Sequence, residues 1–264
     1  MARSHRASIV ARAVELVAFA IWCFLVALAG GLVGLVLGNI RLPATLLVAP
    51  NVAAGGGANL LISAASAAAA AVAHVRAGRV NWRLFWWMLP PSIAGAVAGG
   101  YLAGIIDEDL LLACIAAVLL YSGVDLLRWR PRPAPPGAQP TGGDFDRTAA
   151  VVSGAVIGLL GGLVGLILGS LRLPALIRRV GEPPHTAVGT NLVLGVCVGV
   201  AGALGHLPSD APDWRAAAVG AAASLPGALL GARLTGRLSE IELVRCVGAI
   251  LLVAATAMVV QILV

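Results

Sequence analysis

The chain has 264 residues, of which 59% are hydrophobic and only 11% are charged, and its formal net charge is +6. Soluble globular domains carry about 25% charged residues, so this composition excludes that class and predicts a polytopic membrane protein. All 18 basic residues are arginine, which excludes a Schiff-base lysine and a P-loop lysine. Positive charge in such a chain marks cytoplasmic loops, so a nucleic-acid partner is not expected.

Eight apolar windows follow one another along the chain, each close to the roughly 20 residues needed to cross a bilayer. They lie near residues 13 to 38, 52 to 75, 84 to 106, 110 to 128, 149 to 170, 186 to 205, 216 to 236 and 242 to 264. The segment 129–147 separates four windows from four and is rich in Pro, Gly and Arg, which suits a cytoplasmic linker. The pattern predicts an all-α protein with an N-terminal transmembrane repeat, 1–128, and a C-terminal one, 148–264.

The two groups of windows are copies of each other. Gly30–Pro43 returns as Gly161–Pro174, with 11 of 14 residues identical at a spacing of 131. At a spacing of 132 the matched pairs are Asn59 and Asn191, His74 and His206, Trp82 and Trp214, Arg83 and Arg215, Gly95 and Gly227, Gly99 and Gly231, and Cys114 and Cys246. Internal repeats in an apolar chain are typical of transporters, which bind substrate where the repeats meet.

The repeated segment predicts a broken helix, because glycines weaken a helix and the prolines that follow interrupt it. We expect an extra re-entrant or short helix here in each half. Loop charges predict that the halves are inverted: Arg76 and Arg79 follow the second window, whereas Asp210 and Asp213 occupy the corresponding loop of the second half. Parallel repeats remain the alternative.

Arg41 and Arg172 are the first candidates for a binding site. Each lies three residues after a glycine, Gly38 or Gly169, within an apolar window. An arginine at the centre of a membrane helix costs at least about 2.5 to 3.5 kcal/mol, and a bound anion would offset that cost. A guanidinium matches the oxygens of a carboxylate, sulfonate or phosphate. The alternative is that both arginines extend to the water interface.

Polar residues near these arginines are further candidates. Those expected to bind the substrate are Asn39, Ser170, Asn59, Asn191 and Thr190, together with Gly38 and Gly169. The glycines before the two asparagines, Gly56, Gly57 and Gly189, let the backbone approach a ligand closely. The alternatives are helix capping and satisfaction of the broken helix's own backbone. His74 and His206 are candidates for a proton relay, or else interfacial histidines.

No enzymatic constellation occurs in the sequence: HExxH, GxSxG and paired intramembrane carboxylates are all missing. The four cysteines have neither CxxC nor Cys/His metal spacing and are expected to be packing residues. We therefore expect no enzyme activity, no cofactor and no metal site.

Several segments together resemble the sulfite exporter family, TauE/SafE. They are the two Gly-to-Pro breaks, Gly34–Pro43 and Gly165–Pro174, the segment AVGTNL at Ala187–Leu192, the following HLPSDAPDWR, and the span with Gly95 and Gly99 after Trp82. The resemblance implies a bacterial inner-membrane carrier with two repeated halves, acting on sulfite or organosulfonates. The chain departs from the family's usual pattern by having arginine where an aliphatic residue is typical, and GTN or GAN in place of GTS.

These observations predict a secondary transporter, an exporter of a small sulfur-containing oxoanion, that crosses the inner membrane several times. The expected partners are the anion and the lipid bilayer, and a homodimer is left open. A membrane assembly partner without transport activity and a passive anion channel are the alternatives.

Overall fold

The computed structural model describes residues 2–50, 52–102, 108–130, 145–164, 168–206 and 213–263. Regular structure in these ranges is helical throughout. The first half contains α1 (Ala2–Val33), α2 (Gly38–Val48), α3 (Val52–Arg76), α4 (Trp82–Leu102) and α5 (Glu108–Leu127). The second half contains α6 (Arg147–Val164), α7 (Gly169–Ala175), a π-helical turn (Leu176–Val180), α8 (Pro184–His206), α9 (Trp214–Thr235) and α10 (Glu240–Leu263).

The starts of six helices can be compared with the repeat spacing in the sequence. The helices α3, α4 and α5 begin at residues 52, 82 and 108, and α8, α9 and α10 begin at 184, 214 and 240. Each of these three pairs is separated by the spacing of 132 found in the sequence. Most of the segment predicted as a linker, residues 131–144, lies outside the described residues, as does Asp210.

The helix break predicted in each half is confirmed. In the first half α1 ends at Val33, Gly34 adopts a φ of +69°, and an extended segment, Leu35–Leu37, leads into α2. A Cβ atom at Gly34 would collide with Val188, so glycine is required there by both its conformation and its surroundings. The additional short helices expected after the breaks are α2 and α7.

Among the described residues, three helical stretches are long and apolar enough to cross a membrane. They are Val14–Val33, Gly57–Arg76 and Trp214–Thr235. Shorter apolar stretches are Ala116–Leu127, Arg147–Gly161 and Pro184–Val198. An all-helical chain with these apolar stretches has the composition and secondary structure of a membrane protein.

Helices of the first half pack mainly against helices of the second half. The most extensive packing joins α1 to α9, α4 to α6, and α5 to α10, so each pair contains one helix from each half. Glycines bring the backbones together: a Cβ atom at Gly227 would collide with the Phe24 carbonyl of α1, and one at Gly158 would collide with the Ser92 carbonyl of α4. Small residues permit this close approach in membrane helices, where the lipid provides no hydrophobic drive for association.

The helices α3 and α8 run in opposite directions. At one end of the molecule the Asp213 backbone N–H, before α9, donates to the Ala54 carbonyl in the first turn of α3, at 3.1 Å. At the other end Asn81, which follows α3, binds Glu182, which precedes α8. The start of α3 therefore lies at the end opposite to the start of α8. We call the end that contains Asn81 and Glu182 the Glu182 end.

Candidate functional site

The two repeated arginines are both inside the protein. Arg41 in α2 and Arg172 in α7 are each 1% exposed, so the alternative that they extend to the water interface is wrong. The two short helices position them directly after the breaks. A buried guanidinium needs hydrogen-bond acceptors or an anion around it, because burial without them costs several kcal/mol.

Arg41 has its partners within the first half. Its Nε donates to Asn59 Oδ1 at 2.9 Å, and its Nη2 donates to the Asn59 carbonyl at 3.2 Å and to Ser63 Oγ. The Asn59 amide in turn donates to the Gly38 carbonyl at 3.0 Å. The arginine, the amide of α3 and the start of α2 thus form one hydrogen-bonded cluster, in which Asn59 is in the helix interior and does not cap α3.

Arg172 lacks the equivalent partners. Among the described residues, its Nε and Nη1 have no hydrogen-bond partner, and Asn191 Oδ1, the counterpart of the acceptor that binds Arg41, is also unpartnered there. Asn191 instead donates through Nδ2 to the Gly34 carbonyl at 2.7 Å and to the Gly169 carbonyl at 3.3 Å. The residue matched to Ser63 is Gly195, so no hydroxyl group replaces the one that binds Arg41.

The segment Leu35–Leu37 lies beside both arginine sites. A small pocket lined by both halves lies beside Arg41, between α1, α3, α8 and α9, and its lining includes the extended segment Leu35–Leu37. Val36 in this segment also faces the second half, since a Cβ atom at Gly195 would lie 3.6 Å from Val36 Cγ2, and one at Gly169 would lie 3.9 Å from its backbone nitrogen. The first helix break therefore lies between Arg41 and the second short helix.

The other candidates differ in position. Ser170 and Thr190 are buried, and Thr190 Oγ1 accepts from the Asn81 backbone N–H at 3.0 Å. The side chain of Asn39 lies outside the described residues, although its backbone belongs to α2. Gly38 and Gly169 begin α2 and α7, and a Cβ atom at Gly38 would lie 2.9 Å from Ser63 Oγ.

The two repeated histidines do not come together. His74 is fully buried at the Glu182 end, close to the Gly31 backbone, and its titratable neighbours are Arg79 and His185. His206 ends α8, which starts at the Glu182 end and runs away from it, and its side chain lies outside the described residues. A relay through both histidines stays a prediction, without a contact between them to support it.

Sequence reasoning did not single out Ser63, Asn81 or Glu182. Ser63 and Glu182 lie at positions where the repeat is broken, since their counterparts are Gly195 and Pro50, and Asn81 corresponds to Asp213. A search for polar residues that differ between the copies would have found them.

Comparison with known proteins first indicates the class, which is that of membrane transporters. Part of the chain resembles proteins described as membrane transporters: the "Probable membrane transporter protein" of Xylella fastidiosa is 27% identical over 220 residues, covering 80% of this chain and 84% of that protein. The "Probable membrane transporter protein YunE" of Bacillus subtilis is 31% identical over 90 residues, 34% of this chain and 32% of that protein. No solved structure gives a significant match.

A family profile that matches most of the chain identifies the family. The sequence profile of the sulfite exporter TauE/SafE family matches residues 19–258. The chain therefore belongs to the sulfite exporter TauE/SafE family of membrane transporters, as the sequence resemblance predicted.

Proposed function

We propose that this transporter carries a small sulfur-containing oxoanion, sulfite or an organosulfonate, across the bacterial inner membrane, and that it acts as an exporter. The observation that carries the proposal is the unpartnered guanidinium of Arg172. Its free Nε and Nη1 lie in a site that also contains a free acceptor, Asn191 Oδ1. An anion that accepts from Arg172, and that carries a hydroxyl group or a water for Asn191, satisfies all three atoms.

Arg41 has a second role in this proposal. It lines the pocket between the halves, but Asn59 and Ser63 hold its Nε and Nη2. We assign Arg172 to direct contact with the anion. Arg41 supplies positive charge from the other side of the segment Leu35–Leu37. Asn39, Ser170, Thr190, Gly38 and Gly169 complete the proposed site.

We further propose that the halves, 1–128 and 148–264, are inverted repeats joined by the linker 129–147. The opposite directions of α3 and α8 support this, since these helices occupy matched positions in the repeat. Inverted repeats allow a site at their junction to face each side of the membrane in turn, by rocking of one bundle against the other. The charge of the Arg76 loop then fits a cytoplasmic Glu182 end.

Anion binding and flux test the assignment directly. We expect methanesulfonate and sulfite to raise the apparent melting temperature of the purified protein, because a ligand that binds only the folded state stabilises it. In Arg172→Gln the affinity should fall about 10- to 100-fold, since hydrogen bonds to a charged group contribute about 1.5 to 3 kcal/mol. Flux into proteoliposomes should fall with it.

The control is Arg179→Gln, an exposed arginine of the same half, which should bind and transport as the wild type does. Normal sulfite and methanesulfonate flux in Arg172→Gln would remove Arg172 from the site. Conductance far above the turnover of a carrier would favour a channel.

A further inference from the structure

Glu182 is a carboxylate buried near the candidate anion site. It lies in the loop before the apolar stretch that begins at Pro184, and it is 5% exposed. Asn81 Nδ2 donates to both of its oxygens, at 3.2 and 3.0 Å. The ion pair found among the described residues joins Arg178 to Asp125, so no described cation pairs with Glu182. Burial raises the pKa of this carboxyl group, and the Asn81 hydrogen bond opposes part of that effect.

A short series of contacts connects Glu182 to the second arginine site. Asn81, which binds Glu182 through its side chain, donates from its backbone N–H to Thr190 Oγ1 at 3.0 Å. The next residue in α8 is Asn191, which binds the Gly34 and Gly169 carbonyls and has the free acceptor Oδ1. The carboxyl group and the site of Arg172 are thus connected through the first two turns of one helix.

The first half has no equivalent of this connection. The residues matched to Glu182 and Thr190 are Pro50 and Ala58, and Asn81 is matched by Asp213. Asp213 caps α9 by accepting from the backbone N–H groups of Arg215 and Ala216. The carboxyl group therefore has no counterpart at the matched position of the first half, whose arginine is the one held by Asn59 and Ser63.

We propose that Glu182 is a proton-binding site linked to the anion site, so that the protein takes up a proton when it binds its anion. The inference rests on the proposed function. An anion beside Arg172 adds negative charge near an ionised Glu182, and like charges favour protonation of a carboxylate. Linkage is reciprocal, so protonation of Glu182 must strengthen anion binding to the same extent.

Other titratable and charged groups lie on the elements around the Glu182 end. They are His185 on α8, His74 at the end of α3, Arg79 in the loop before α4, Arg178 and Arg179 on the π-helical turn, Asp146 before α6, and Glu240 at the start of α10. Arg178 is paired with Asp125. The histidines contribute to the pH dependence of the wild type, and they remain in a Glu182 variant, which isolates the carboxyl group.

Calorimetric titration with methanesulfonate, which stays ionised from pH 5 to 8, tests the linkage. Repeating the titration in buffers of different ionisation enthalpy counts the protons taken up. For the wild type we expect proton uptake and an affinity that increases as the pH falls, by up to about tenfold per pH unit for one linked proton. In Glu182→Gln this uptake should disappear while methanesulfonate still binds, and Glu240→Gln, an exposed carboxylate at the same end, should retain it.

A second variant tests the same site without removing the carboxyl group. Asn81→Asp brings a second carboxyl group to Glu182, and two such groups share a proton, so the pH range of proton uptake should move upward. Wild-type proton uptake in Glu182→Gln, or loss of methanesulfonate binding at every pH in that variant, would overturn the inference and leave the Arg172 result standing. Failure of the wild type to bind either methanesulfonate or sulfite would overturn the proposed function and the inference together.

Discussion

Arg41 is held by an amide and a hydroxyl group of its own half, whereas Arg172, at the matched position, has two guanidinium nitrogens without a partner. The two segments share 11 of 14 residues, so the difference comes from the helix packed against each one. The helix packed against α2 is α3, which contributes Ser63. The helix packed against α7 is α8, in which the matched residue is Gly195. The duplicated segment has kept most of its residues. Even so, the guanidinium of Arg41 is held by hydrogen bonds to Asn59 and Ser63, and that of Arg172 lacks the equivalent bonds among the described residues.

The largest effect we expect is on the stability of the ligand-free protein. Arg41→Gln should lower the free energy of unfolding by about 3 kcal/mol, because Asn59 and Ser63 lose hydrogen bonds to a charged group. Arg172→Gln removes a buried cation that has no partner and should leave stability unchanged or raise it. Apparent melting temperatures in detergent, without added anion, measure both. Equal destabilisation by the two changes would mean that the two sites are equivalent.

Exchange of the residues that distinguish the halves should have a smaller effect. A Cβ atom at Gly195 has Val36 Cγ2 3.6 Å away, an ordinary contact, so serine fits there. In Gly195→Ser the new hydroxyl group should bind Arg172 as Ser63 binds Arg41, and methanesulfonate affinity should fall about tenfold. Gly195→Ala is the matched control for added volume. If alanine weakens binding as much as serine does, the effect is steric.

The smallest effect concerns the contact between Asn81 and Thr190. Thr190→Val leaves the buried Asn81 N–H without its acceptor, which should cost about 1 kcal/mol of stability. It should also reduce the number of protons taken up with methanesulfonate, measured by calorimetric titration. Thr186→Val, another buried threonine of α8, is the control. Unchanged proton uptake in Thr190→Val would mean that Glu182 and the anion site communicate by another route.

The sequence was sufficient to predict the helices, since apolar windows and helix breaks depend on local composition. The windows at 52 to 75 and 186 to 205 correspond to α3 and α8, and the glycines before Arg41 predicted the break between α1 and α2. It could not predict which arginine is satisfied. That depends on residues about 20 positions away, whose contact is determined by how a short helix packs on a long one.

The packing of the first half against the second has a consequence for synthesis. Helix α1 is synthesised before α9, the helix whose glycines fit against it. Helix α4 is likewise synthesised before α6, the helix that packs against it. The first half therefore enters the bilayer with its glycine-fitted surfaces still facing lipid, and it reaches its final packing only after the second half has been inserted beside it.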